Sequence, residues 1–505
     1  MKTRQWLFFF VLIANIGYVH AQQIQIINSN EIRYDAATRS KYCKGNIKVL
    51  HEGVYIECDS AVINDNDRTM LGLGNVYIYQ PDSFDLRGEK VFYNGINKMA
   101  RVSGNVVMTD NDMVLTTPFI DYDTENKHGS YTQNGKIVAN QDVLTSQKGY
   151  YDSRTQMAFF KDSVVLVNPE YTMYSDTLKY HSPTSVAYFL GPTQIVSDEN
   201  RIECTRGYYN TNTNIASFWN RASLYSDASV LTADSFFYNR NTGVGKAFER
   251  IVLIDTSEQI HVYGNQGIYY ELKKESVVFQ NPVAEKFMDS DTLLVLADTL
   301  FVFSDSLNKK LLAYNHAQIF SSDMSGVCDT LLYRMQDSII EMKKEPFLWN
   351  ENKQISGDSI TLFLVQNKVD RMEVRNKSFI ASHHEMEWFD QISGKNIDHY
   401  FIDNKLRRVE VMEKAKSLYY MREDDTGAYV GVNKIEGGYM TVLLDSVGID
   451  QIKFYPIPSP EGKLYPPLEL PVEDIKFSEF IWRPELKPLR QTFETRKAWG
   501  RKPEE

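Results

Sequence analysis

The chain has 505 residues, 43% apolar and 24% charged, which is the composition of a folded protein, and its length alone suggests about three domains. Its 31 Tyr and 27 Phe favour strands over helices. The net charge of −11 argues against a binder of phosphate backbones and says little about fold.

The first element is MKTRQWLFFFVLIANIGYVHAQQ. Lys2 and Arg4 form a basic start, Trp6 to Ile16 is apolar but short for a bilayer span, and Val19-His20-Ala21 offers small residues to a signal peptidase. This reads as a secretory signal removed after Ala21, with an uncleaved membrane anchor as the competing reading. The first cysteine is Cys43, so a lipoprotein is not expected.

Beyond it, one strand-like segment recurs: IECDSAVIN from Ile56, MYSDTLKYH from Met173, IECTRGYYN from Ile202, LTADSFFYN from Leu231 and VLADTLFVF from Val295. Aligned on the Asp of LTADSFFYN, the central column holds Asn30, Asp59, Glu89, Pro118, Gln147, Asp176, Thr205, Asp234, Asn265, Asp298, Asp329 and Asp358. The steps run from 29 to 33 residues. One residue before the column is always small, as in Cys58, Gly88, Ser175 and Ala233. Three before it is apolar in eleven of twelve units, and four after it is Tyr in nine.

Side chains of a strand alternate between faces. Positions −3 and −1 share one parity, and +2 and +4 the other, yet both sets are small or apolar. Both point inward only if the strand changes phase between them, at a bulge or corner. The column residue and the Ser or Thr that often follows it sit at that corner, where short polar side chains are expected to bond local backbone.

A second motif lies about fifteen residues from each corner, as KGNIKV at Lys44, GLGNVYI at Gly72 and VSGNVVM at Val102. It predicts another corner and another strand. Polar turns fall between, for example NDND at Asn64, DTENKHG at Asp123 and NRNTG at Asn239. Each unit is then a bent strand, a turn and a bent strand back, and the stack is V-shaped, antiparallel and open at both sheet edges. Two looser units place the column near Lys395 and Gly438. From Pro456 the chain holds nine of its sixteen prolines, which oppose a sheet; this tail is expected to pack over the last sheet edge or, alternatively, to act as a docking peptide.

No catalytic motif appears. The column is Asp in only six of twelve units, too few for a calcium ladder, so corner-capping is the better reading. His383-His384-Glu385 is the only histidine cluster, and neighbours on a strand face opposite ways, so no metal and no cofactor are called for. Cys58, Cys204 and Cys328 share the small column at distant units, which predicts free buried thiols.

The Gly-Asn-Val-x-Val strand, GNVYI at Gly74, alternating with the L-x-A-D-x-x-x-Y strand, LTADSFFY at Leu231, resembles the OstA-like family of lipopolysaccharide transport proteins. The resemblance spans roughly 24–370 and is cleanest over 44–260. It implies an all-β, repetitive V-shaped antiparallel β-jellyroll, or β-taco, solenoid with a Pro-rich C-terminal tail. The parts are a signal peptide at 1–21, OstA-like repeats at 22–380, looser β repeats at 381–455 and the tail at 456–505. It also implies a periplasmic bridge, possibly associated with the outer membrane, that shelters lipopolysaccharide acyl chains in an apolar groove. Its implied partners are lipopolysaccharide, other β-jellyroll subunits joined end to end at open sheet edges, and the inner- and outer-membrane transport complexes, with no nucleic acid. Candidate groove-lining residues are Ile56, Leu86, Leu115, Leu144, Met173, Ile202 and Leu231 at position −3, and Tyr93, Tyr122, Tyr151, Tyr180, Tyr209 and Tyr238 at position +4. The chain has about twice the repeats of a simple bridge and lacks the region that would form an outer-membrane barrel. The alternatives are a dry solenoid core without a groove, a glycan-active β-solenoid enzyme and a structural surface rod.

Overall fold

The structure is a computed structural model, and it describes residues 23–500 except 82–83, 111–112, 140, 199, 227, 289–290, 306–307, 385–387, 404, 424–425, 446–448, 456–460 and 467–475. The expected signal peptide lies outside the described residues. The chain forms two compact units, divided between Pro183 and Thr184. Each is almost entirely antiparallel β.

In the first unit, strands Ser40–His51, Val54–Asn64, Thr69–Gln80, Phe84–Asn94, Met99–Asp110 and Met113–Asp123 pair in chain order. Strand Val54–Asn64 shows how the sequence makes the bend. Val54, Ile56 and Cys58 are buried, Asp59 is exposed, and Ala61 and Ile63 are buried. The buried parity changes at Asp59, as the apolar pattern demands.

The ladder shows which strand carries the extra residue. Ser60 pairs with Leu73 and Glu57 with Tyr77, and the register slips between them. Opposite Asp59 stand Gly74 and Asn75, at φ +76° and 45°. Two left-handed residues facing one are a bulge, which bends the sheet and sharpens its twist. The Gly-Asn strands therefore make the corner, and the column residue is the single residue facing it. A Cβ on Gly74 would lie 2.3 Å from Asp59 Oδ2, so glycine is needed there for space as well as for φ.

The column side chains differ from the expectation of backbone capping. They reach across the corner to the side chain of one of the two left-handed residues. Asn75 Nδ2 donates to Asp59 Oδ2 at 2.8 Å, Asn105 Nδ2 to Glu89 Oε1 at 2.7 Å and Asn315 Nδ2 to Asp298 Oδ2 at 2.7 Å. Where the motif decays the partner becomes a cation, as in Arg250–Asp234 at 2.7 Å and Lys344–Asp329 at 2.7 Å. The backbone role falls to the small residue before the column: Ser175 Oγ donates to Thr177 O, and Cys58 Sγ to Ser60 O. A short side chain at −1 is close enough to reach two residues along its own strand, and the longer column side chain is not so constrained.

Each side of the corner keeps its own ladder. Strand Met113–Asp123 is followed by two shorter strands. His128–Tyr131 pairs with its second half and Gly135–Ala139 with its first. The residues before the corner in Met113–Asp123 belong to a first wall and those after it to a second. In the second unit a single apolar cluster joins Val262, Val295 and Ile319 of the first wall to Val278, Leu311 and Tyr333 of the second, so the two inward faces pack on each other. Register breaks recur at Arg375/Ser378, Ser393/Asn396 and Met412/Ala415, and corners lie opposite Lys395 and Gly438, where the looser units place them.

The tail adds strand Glu461–Tyr465 to the last edge, beside Val432–Glu436. It then does something the composition does not announce. Phe477 packs with Phe379, Phe389, Leu418 and Tyr420, and Gln354 bonds Ile481 O at 2.8 Å and Arg483 N at 2.7 Å. The helix Arg490–Gly500 sets Phe493 against Val283, Leu294 and Leu296. Because Val295 lies in the interior cluster, Leu294 and Leu296 point the other way. The end of the chain is thus a strap on the outer face of the first wall, running back toward earlier strands. Leu293–Ala297 reads as a continuous apolar run because the wall is covered on both faces there.

Candidate functional site: the interior between the walls

The interior is built from repeated columns. On the first wall, position −3 residues Ile56, Leu86, Leu115, Leu144 and Met173 are buried and inward. On the second wall, Tyr93, Tyr122 and Tyr151 are buried. Their cross-strand neighbours are small: Tyr93 pairs with Ala100, Ala100 with Tyr122, Tyr122 with Gly129, Gly129 with Tyr151, Tyr151 with Ala158 and Ala158 with Tyr180. Strands stand about 4.8 Å apart, so a large ring on every strand would crowd, and the Tyr–small alternation gives each ring room over its neighbour. Within the second unit the same alternation runs through Ala187, Tyr209, Ala216, Tyr238, Gly245 and Tyr269.

The column from the Gly-Asn strands completes the lining. Ile78 and Met108 are inward and fully buried. The inward series of the Gly-Asn strands ends at the free margin in a polar residue, and His51 of Ser40–His51 and Asp110 of Met99–Asp110 are both buried. These residues meet the tyrosines of the opposite wall. His51 Nδ1 lies 2.7 Å from Tyr93 Oη, and Tyr151 Oη donates to Asp110 Oδ2 at 2.6 Å. Outside them, Lys98 of the second margin pairs with Glu52 of the first at 2.7 Å. The first unit is therefore latched across its mouth. In the second unit Lys309 crosses likewise, to Ser257 Oγ at 2.6 Å and Glu258 Oε1 at 3.1 Å. Behind that latch a cavity of about 10 Å³, room for about one water, lies between Leu253, Ile260 and Val262 of the first wall and Val302, Phe303 and Met335 of the second.

Other candidate lining residues are less buried. Ile202 and Leu231 on the first wall and Tyr209 and Tyr238 on the second are half-buried, as are Ile195 and Leu224; Tyr180, in the first unit, is half-buried too. Tyr209 and Tyr238 send their hydroxyls to Asn214 at 2.9 Å and Glu271 at 2.7 Å, both in turns of their own wall.

Burial raises the Tyr93 hydroxyl to about 12, despite its hydrogen bonding, so this tyrosine stays neutral. All four cysteines are free and buried. Burial lifts Cys58 to about 11 and Cys204 to about 12. Among the described residues no three His, Cys, Asp or Glu side chains converge on a metal site. Glu385 of the histidine cluster lies outside the described residues, and His384 pairs with Asp390 at 2.7 Å. No described helix is long and apolar enough to cross a membrane.

At the first edge, Ile27, Ile32 and Tyr34 occupy inward columns yet are 52%, 54% and 55% exposed. Their strands, Gln25–Asn28 and Glu31–Asp35, pair with Ser40–His51.

The family model of OstA-like proteins matches residues 21–176 and 172–234. No curated protein sequence matches the chain. Among solved structures, a crystal structure of LptH from Pseudomonas aeruginosa is 14% identical, with a TM-score of 0.21, and the match covers 28% of this chain and 95% of that one. That protein is described as the LptA-homologous periplasmic component of the lipopolysaccharide transport device.

Proposed function

Starting from a chain whose residues 21–234 are OstA-like, we propose that this protein is a periplasmic lipopolysaccharide-binding bridge. It carries acyl chains between its two walls toward the outer membrane and catalyses no reaction. The observation that carries this reading is the interior itself. Position −3 supplies Ile, Leu or Met from Ile56 to Leu231, and position +4 supplies Tyr rings, so an apolar lining is repeated at every unit.

The chemistry fits a lipid tail. Backbone donors and acceptors of both walls are consumed by the ladders, so the inner faces offer hydrogen bonds to almost nothing. A peptide or glycan placed there would leave its polar groups unmet. An acyl chain has none, and it gains about 0.8 kcal/mol per buried methylene. The walls already satisfy each other where they are packed, so a chain enters by replacing wall-to-wall contacts of similar kind.

The first edge supports end-to-end joining. An added strand from another β-jellyroll subunit would pair with the outermost strands and cover Ile27, Ile32 and Tyr34. The inner- and outer-membrane transport complexes are the proposed partners at the two ends.

Mass spectrometry of lipids retained by the purified full-length protein tests the reading. Lipopolysaccharide at a stoichiometric level is expected. A protein that purifies free of it, and takes none up when incubated with it, is not such a carrier.

A further inference from the structure

We infer that the outer face of the second wall, in the first unit, docks on a lipid surface that carries anionic headgroups. The inference goes beyond the carrier reading, because it concerns the outside of the wall and not the interior.

The register sets the face. One row runs Tyr42–Val62–Leu71–Phe92–Arg101 across five paired strands, and the row beside it runs Lys44–Ser60–Leu73–Lys90–Ser103. The residues between the two rows, Cys43, Ala61, Gly72, Val91 and Val102, are buried or inward, so both rows face away from the interior. Tyr42, Leu73 and Phe92 are 37%, 44% and 47% exposed, and Val62 and Leu71 are half-buried. Single exposed apolar side chains are ordinary, but these five are neighbours on one face. In the second unit, apolar residues on an outer face, Leu294 and Leu296, lie under Phe493 of the strap.

Charge selects the occupant. Segments 40–44, 60–64, 69–73, 90–94 and 99–103 contain no Asp or Glu, in a chain with 66 acidic and 55 basic residues. Lys44 and Lys90 are exposed on the face, and Arg101 pairs with Asp121 of the next strand at 2.6 Å. At the first edge Glu31 stands beside Lys44, and Arg33 lies over the Tyr42 ring at 4.9 Å. The corner acids Asp59 and Glu89 are held by Asn75 and Asn105. Lysine stems lie along apolar neighbours while their heads reach outward, and Leu, Phe and Tyr suit the boundary between headgroups and acyl chains. A soluble anionic glycan would meet the cations but give Val62, Leu71 and Leu73 no apolar medium. A second copy of this face would set Lys44 and Lys90 against like charges.

The test mixes the purified full chain with vesicles of phosphatidylcholine, with or without about one-third phosphatidylglycerol, and reads bound protein by flotation. The anionic vesicles should bind at least about ten-fold more tightly, and salt should weaken that binding. Leu73→Ser with Phe92→Ser, and separately Lys44→Gln with Lys90→Gln, should each weaken it about ten-fold. All four side chains are outward, so these variants should keep the parent's urea midpoint. No binding, equal binding to both vesicles, or binding that either double variant leaves unchanged overturns the docking face. Binding to soluble polygalacturonate with none to vesicles overturns it as well, in favour of a glycan. Lipopolysaccharide retained by the same variants is measured separately by mass spectrometry, so docking fails with the carrier reading intact if retention matches the parent's.

Discussion

His51 and Tyr93 lie on opposite walls and join them: the imidazole Nδ1 and the phenol oxygen are 2.7 Å apart, with the rings edge to face at 5.6 Å between centroids. The same relation recurs between Asp110 and Tyr151. Each latch places a tyrosine ring in the apolar interior and its hydroxyl on the polar seam, so one side chain serves both packing and closure.

Removing the hydroxyl separates those roles. Tyr151→Phe keeps the ring and takes one bond from the buried Asp110 carboxylate, so it should cost about 1–3 kcal/mol. Tyr238→Phe removes a bond to the more exposed Glu271 and should cost less. Urea unfolding midpoints of the full chain rank the two, and equal losses would mean that the Asp110 contact has no special weight. Amide exchange should also quicken in Met99–Asp110 for Tyr151→Phe, because a lost latch loosens the margin first.

The corner makes a sharper prediction. Gly74→Ala puts an L-residue at φ +76°, which costs about 1–2 kcal/mol, and drives its Cβ against Asp59. Asn75→Ala loses the bond to Asp59, worth about 0.5–1.5 kcal/mol, and adds less left-handed strain than Gly74→Ala because Asn75 already carries a Cβ at φ 45°. The order Gly74→Ala worse than Asn75→Ala is expected in denaturant titrations. The reverse order would show that the Asn–Asp staple, not the backbone bend, holds the corner.

Much of this architecture could be read from residue types. A strand has period two, so an apolar pattern that changes parity at Asp59, Asp176 and Asp234 announces a bend at each. The corner at Gly438 was legible for the same reason. Parity alone does not say which of two paired strands carries the extra residue, and that depended on the positive φ of Gly74 and Asn75. The inward columns were legible; their closure was not. It arises from pairs such as Glu52 with Lys98, which share no column and meet only because the walls face each other. The candidate lining therefore divides, with Ile56 and Tyr93 sealed and Leu231 and Tyr238 half-exposed, although the residue types are the same. The strap was hidden for another reason. Proline-rich composition opposes a sheet, but says nothing about where Phe493 or Lys497 will land.

Lys497 of the strap lies almost fully buried, 2.6 Å from the equally buried Glu285, which also accepts the Tyr263 hydroxyl at 3.1 Å. Removing one partner strands a buried charge, at a cost of about 3–5 kcal/mol, unless the strap lets go first. Lys497→Ala should therefore release the helix Arg490–Gly500 rather than unfold the wall. Amide exchange should rise through 490–498 while Thr292–Leu296 stays protected in its ladder. The double variant Lys497→Met with Glu285→Met should hold the helix better than Lys497→Ala alone; a double variant that releases it equally would mean the ion pair itself anchors the strap.

The near end of the strap responds to acid. Burial opposes the charge on Glu479, but hydrogen bonds from Ser478 and Ser393 and the Lys416 ammonium outweigh it and bring the carboxyl down to about 2. Ser393 Oγ donates at 2.8 Å and Lys416 Nζ lies at 3.3 Å. A carboxyl lower in the folded than in the unfolded chain stabilises docking above its unfolded value near 4.5, and that contribution fades as the pH falls toward 2. The group is about one-third exposed, so the effect is smaller than a buried pair would give. Fluorescence of Trp482, which stacks beside His383 and meets Phe389 edge to face, reports the strap's position. Its spectrum should shift between about pH 4.5 and 2 in the parent chain, and Glu479→Gln, which has no such proton to gain, should already show the low-pH spectrum and stay flat across that window; a variant that keeps the parent's transition would assign the acid response to another group.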